Sequence, residues 1–140
     1  MLKFAKLSTV LCCVALTAAA CSTSAREEAM AEAASVSFTS PADGDTVSSP
    51  FQVTMAAENF TIEPSGEVVD GAGHFHILVN EDCLEQGMVI PTDETHLHYG
   101  AGQLEVEVEL EPGEYTLCLQ VGDGVHTATD LTDIVNITVE

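Results

Sequence analysis

Leu104-Glu-Val-Glu-Val-Glu-Leu110 and Glu114-Tyr-Thr-Leu-Cys-Leu-Gln-Val121 decide the fold class. In the first stretch Leu104, Val106, Val108 and Leu110 point one way and Glu105, Glu107 and Glu109 the other. A strict period of two is that of a strand with one buried and one solvated face. In the second, Tyr115, Leu117, Leu119 and Val121 make the apolar row, which puts Cys118 on the opposite face. Glu111-Pro-Gly113 between them carries a turn signal.

The same texture extends outward. Val36–Thr39, Phe51–Met55, His74–Val79 and Ile134–Val139 are further short β-type runs, separated by clusters such as Pro41-Ala-Asp-Gly-Asp45, Glu63-Pro-Ser-Gly66, Asp70-Gly-Ala-Gly73 and Gly122-Asp-Gly124. No stretch beyond the first twenty residues keeps a helical period. The pattern predicts an all-β domain over residues 36–140, an antiparallel β-sandwich of immunoglobulin-like outline with six to eight short strands.

Three Lys and Arg stand against 23 Asp and Glu in 140 residues, a formal charge of −20. A nucleic-acid binder needs a basic patch, and there is none to build. An anionic membrane surface would repel the chain. The N-terminus differs from the rest. Lys3 and Lys6 precede the short apolar run Leu7–Leu16, the arrangement of an export signal and too short for a comfortable membrane span. Leu16-Thr-Ala-Ala-Ala-Cys21 resembles a bacterial lipobox. The expectation is a signal peptide over residues 1–20, lipidation of Cys21, a flexible small-residue tether over residues 21–35, and a place at the periplasmic face of the outer membrane. Loss of the signal leaves Arg26 alone against all the acids, and no Lys or Arg follows Val36.

Cysteines sort in the same way. Cys12 and Cys13 lie in the signal, Cys21 is the lipid site, and Cys83 and Cys118 remain. In an oxidising compartment the pair is most simply a disulfide. The alternative, two thiolate metal ligands, lacks the usual short Cys-x-x-Cys spacing.

All five histidines fall in three motifs: Gly73-His74-Phe75-His76, His96-Leu97-His98-Tyr99-Gly100 and Gly124-Val125-His126. Phe75, Ile77 and Val79 form the apolar row of their strand, so His74 and His76 project together from its outer face, about 7 Å apart. Alternate histidines present two nitrogen ligands on one side, and imidazole suits copper and zinc alike. A Cys83–Cys118 bond would draw the Glu81–Ala101 loop over that face. The expected site is therefore His74 and His76 below, His96 and His98 folded over them, and His126 at the edge as a weaker candidate. Solvated strand histidines are the plainer reading. Asp43, Asp45 and Asp123 occupy turns that favour aspartate without calcium. Met88 is either a soft copper ligand or a packing residue.

The strings Gly71-Ala-Gly-His-Phe-His-Ile-Leu-Val79, Ile90-Pro-Thr-Asp-Glu-Thr-His-Leu-His-Tyr-Gly-Ala-Gly-Gln103 and Pro112-Gly-Glu-Tyr-Thr-Leu-Cys-Leu-Gln-Val-Gly-Asp-Gly-Val-His126 resemble a family of small exported bacterial proteins, domain of unknown function 4399. The resemblance runs from Gly71 to Ile137. It departs at Phe75 and Tyr115, where the family often carries histidine, and both departures leave the alternating pairs intact. The family name implies no activity; it supports the histidine motifs as a unit.

Three functions follow from these residues. The first is a lipid-anchored protein that handles or buffers copper or zinc, its acidic field concentrating cations. The second is an immunoglobulin-like interaction module without metal, alone or as a homo-oligomer. The third, an enzyme like the copper–zinc superoxide dismutases, shares a sandwich, His-x-His and a disulfide. A domain without Lys or Arg cannot steer in an anion, and the dismutase Gly-Phe-His-x-His context is absent. Hydrolase signatures such as Gly-x-Ser-x-Gly and His-Glu-x-x-His are missing as well.

Overall fold

A computed structural model of the chain describes residues 32–140. The expected signal peptide, the expected lipidation site at Cys21 and most of the expected tether lie outside the described residues. The elements are β1 (Ser35–Ser40), β2 (Thr46–Val47), β3 (Phe51–Glu58), β4 (Thr61–Ile62), β5 (Ala72–Val79), β6 (His96–Tyr99), β7 (Glu105–Val108), β8 (Gly113–Gly122) and β9 (Ala128–Val139). They form two sheets. The first runs β1-β3-β7; the second runs β2-β9-β8-β5, with β4 and β6 side by side along the free edge of β5.

The expected all-β sandwich is present, with nine strands among the described residues instead of six to eight. Two of the additions, β2 and β4, are two-residue strands pairing in parallel with β9 and β5, so the second sheet is mixed. The third addition, β6, was hidden because His-Leu-His-Tyr has only two apolar residues in four. β9 begins at Ala128, six residues before its apolar text does: Thr132 and Asp133 continue the ladder against β8, and after an irregularity at residues 129–131 Ala128 pairs with Gly122. The Glu111-Pro-Gly113 turn carries the chain from one sheet to the other, since β7 pairs with β3 and β8 with β5 and β9.

The core lies between the sheets, as the alternation requires. Val36, Phe38, Val53, Met55, Val106 and Val108 of the first sheet meet Phe75, Ile77, Leu117, Leu119, Val121 and Ile137 of the second. Glu105 and Glu107 point to solvent, which discourages pairing along the open edge of β7. Leu104, assigned to the inner row by its parity, lies before the strand begins and is 51% exposed. A smaller apolar cluster of Leu78, Ile90, Cys118 and Ala128 sits on the outer face of the second sheet, with Cys83 and Leu84 against it.

Cys83 and Cys118 are bonded, 35 residues apart in sequence. The bond ties a strap, Cys83 to Ile90, onto β8. Gln120, fully buried, holds the same strap: its Oε1 accepts from Leu84 N at 2.9 Å and its Nε2 donates to Leu84 O at 2.7 Å and Thr129 O at 3.2 Å. A buried amide satisfied on both sides costs little to bury. Closing a loop of this size removes chain entropy from the unfolded state. Replacing both cysteines with alanine is therefore expected to lower the stability of the domain by about 3–4 kcal/mol, read from denaturant midpoints under non-reducing conditions. An unchanged midpoint would show that the hydrogen bonds of the strap to Gln120, His126 and Ala128 suffice without the covalent tie.

Candidate metal centre

β5 carries the site. Its alternation works as the sequence implies, with Phe75, Ile77 and Val79 in the core and His74, His76 and Leu78 on the other face. That face is not solvated. His74 and His76 are each 0% exposed. The plainer alternative, solvated strand histidines, fails because the face is covered by β6, by the strap ending at Ile90 and by the turn that bears His126.

Sheet pairing delivers the third histidine. In the β5–β6 register His76 lies opposite His98 and Leu78 opposite His96. The disulfide does not fold this pair over the first, contrary to the sequence expectation; a backbone ladder sets it alongside. His96 shares the face of His98 but sits one step further on, about 7 Å along the strand. It also has its own partner. Asp93 Oδ1 accepts from His96 Nδ1 at 2.8 Å and from His96 N at 3.0 Å. That contact holds the Asp93 carboxyl down to about 2. His96 is therefore not brought into the cluster.

His126, the weaker candidate, is brought in. β8 leaves the sheet at Gly122, which lies opposite His74, so the chain that follows returns over the histidines. Asp123 shapes the return: its Oδ1 accepts from Val125 N at 2.9 Å and Thr127 N at 2.8 Å, and its carbonyl accepts from His126 N at 3.0 Å. His126 sits at φ +70°. A non-glycine residue keeps a left-handed conformation only where its surroundings hold it there. Ile90 N donates to His126 O at 2.8 Å, so the strap grips the turn from the other side.

Four imidazoles thus meet. Nε2 of His74 and Nε2 of His76 lie 3.1 Å apart, as do Nε2 of His98 and Nε2 of His126. Ring centroids are separated by 4.7 Å for His98–His126 and by 5.8 Å for the widest pair, His76–His126. His74, His76 and His98 each offer a nitrogen within 4.8 Å of the other two, and this group can hold a metal ion. Missing side chains make the room. A Cβ on Gly122 would stand 2.9 Å from His76 Nε2, and one on Gly100 would run into the His98 ring.

Burial, followed by the neighbouring imidazoles His98 and His126, pushes His74 down to about 4, with Asp123 opposing. Burial and the other histidines push His76 down to about 3. His98 is lowered too, by burial and by His126. The rings therefore stay neutral at pH 7, the form that donates a lone pair to a cation. Nδ1 of His74 and of His76 have no hydrogen-bond partner. The carbonyl or carboxylate that commonly orients a ligating imidazole is absent there, and the His76 ring lies close against Gly122 instead. Met88 is 53% exposed and outside the cluster, Asp45 and Asp123 accept from backbone N–H groups of their own turns, and Asp43 accepts from Asn136 of β9.

These imidazoles set the acid response of the metal-free protein. Unfolded, each takes a proton near its ordinary 6.5; folded, His74 and His76 wait until about 4 and 3. Between those values the unfolded state binds more protons, so stability falls as pH falls. Two such groups give a slope of roughly 2–3 kcal/mol per pH unit around pH 5. Urea midpoints of chelator-treated protein should drop steeply from about pH 6.5 downward, and a flat profile would contradict the burial of both rings.

No curated protein and no solved structure matches the chain. A family model does match, over residues 53–140, from within β3 to the end of β9, and it takes in every histidine described above. The chain belongs to the family described as Domain of unknown function (DUF4399).

Proposed function

We propose that this domain binds one transition-metal cation, copper or zinc, through His74, His76 and His98, with His126 as the fourth ligand, and serves in metal handling or buffering. The observation that carries the reading is the convergence of four imidazole nitrogens from three chain segments. A tetrahedral ion with nitrogens at about 2.0–2.1 Å sets those nitrogens about 3.3–3.4 Å apart. The two contacts of 3.1 Å are within a few tenths of that.

Several features support it. Burial pushes His74, His76 and His98 below the ordinary histidine value, so protons do not compete strongly for their lone pairs. Imidazole is a ligand for copper and zinc and a poor one for calcium or magnesium, which take oxygen. No Lys or Arg occurs among the described residues, so the surrounding field attracts cations throughout. In this reading Cys21 carries the lipid and the metal domain stands at the periplasmic face of the outer membrane. The interaction-module reading keeps the same sandwich and gives the four rings no ion.

Titration of the purified protein with Zn(II) and Cu(II), with metal content checked by elemental analysis, separates them. One equivalent is expected to bind. His98→Gln should weaken binding on the order of 100-fold or more, about 2.7 kcal/mol. His96→Gln should leave affinity within about twofold, because Asp93 already occupies that ring. Binding that survives loss of His74, His76 and His98 together would remove the proposal.

A further inference from the structure

Glu63-Pro-Ser-Gly-Glu67 reads in the sequence as a turn between strands. In the fold it has a more specific position. Glu63 N donates to Gly73 O at 2.7 Å, Ser65 N to Gly100 O at 2.9 Å and Gly66 N to Gly124 O at 2.8 Å. Ser65 Oγ adds a second donation to Gly100 O at 3.2 Å. Every acceptor is next to a histidine of the cluster. Gly73 immediately precedes His74, Gly100 follows His98 by two residues and Gly124 precedes His126 by two. One short segment is thus hydrogen-bonded to all three chain segments that bear the four rings.

The fit is close. A Cβ on Gly124 would run into Glu67 O and stand 3.0 Å from Gly66 O, and one on Gly100 would stand 2.9 Å from Ser65 Oγ. The space between Glu63, Pro64, Glu67, Gly73 and Gly124 is too tight for a water molecule.

The four rings do not depend on this segment equally. His74 and His76 share one strand, and the ladder between β5 and β6 fixes His98 against them. His126 alone lies off the strands, in a left-handed conformation. Its turn is held from one side by Ile90 and from the other, through Gly124, by Gly66. We infer that the Glu63–Glu67 segment is the positioning element of the metal centre, which locks His126 onto the other three histidines and thereby sets how slowly a bound cation leaves. The inference rests on the metal-site reading above and adds a residue-level control on release. The acceptors are backbone carbonyls, so the lock has no side chain to delete; it is opened by filling the space beside it.

Gly124→Ala does this. Gly124 is not in the left-handed region, so alanine suits its backbone dihedrals, while the atoms nearest the new methyl belong to Glu67 and Gly66. Ser65→Ala is the control, since it keeps all three N–H donors. The full chain is loaded with Zn(II) or Cu(II) alone, and release into excess chelator is followed by stopped flow. Gly124→Ala is expected to release the ion about tenfold faster or more, and Ser65→Ala within about twofold of the parent. Parent-like release from Gly124→Ala overturns the inference. Should that variant fold poorly, amide exchange in the unaltered protein gives the second readout. The Ser65 and Gly66 amides should gain protection on loading, and equal protection with and without the ion overturns the inference too. A parent protein that takes up neither ion overturns both readings, whereas uptake with indifferent release overturns this one alone.

Discussion

The antiparallel pairing of β5 with β8 on one side and β6 on the other is the constraint on which everything else depends. It sets His76 between Gln120 and His98 across three strands, and His74 opposite Gly122, where β8 leaves the sheet. Because side chains alternate at every residue, a slip of one place would send the histidines into the core and Phe75 and Ile77 out. The apolar row that stabilises the sandwich is therefore the same device that aims the imidazoles. The register shift between Gln120 and Gly122 falls beside the cluster, at the point where the chain turns back toward it.

A strand buried on both faces ordinarily carries apolar residues on both, as in parallel sheets. β5 is buried along its whole length, yet one of its rows is His-x-His-x-Leu. The roof over that row comes from unrelated pieces: a disulfide, one buried amide that hydrogen-bonds to the strap backbone, an aspartate-capped turn and a short edge strand. Each is a small local interaction. Together they put imidazoles where water cannot compensate them, which is why burial leads the causes that lower their proton affinity.

Much of the sandwich was legible in the sequence because period-two alternation in Leu104–Leu110 and Glu114–Val121 reports directly on which face is wet. The disulfide was legible because only two cysteines lay beyond the expected signal and lipid site. That Cys118 and the His74/His76 pair share one outer face depends on the pairing of β5 with β8, which alternation alone does not report. What alternation could not report was the roof. A polar residue at an outward position reads as solvated unless something distant covers it, and Ile90 and the Asp123 turn are distant in sequence. For the same reason His96 and His98 read as equivalent. Only the register, which places one opposite Leu78 and the other opposite His76, separates them. His126 was undervalued because a single histidine after a turn has no periodic partner. A clue was present in Gly122-Asp-Gly124, a return placed straight after the strand that neighbours the histidines.

The Cys83–Cys118 bond also bears on the histidines. The strap it ties down ends at Ile90, which donates to the carbonyl of His126. A chain whose thiols are still reduced has the strands of the sandwich but lacks the covalent tie on one wall of the histidine chamber. The bond thus ties the completeness of one wall of the chamber to the redox state of two thiols.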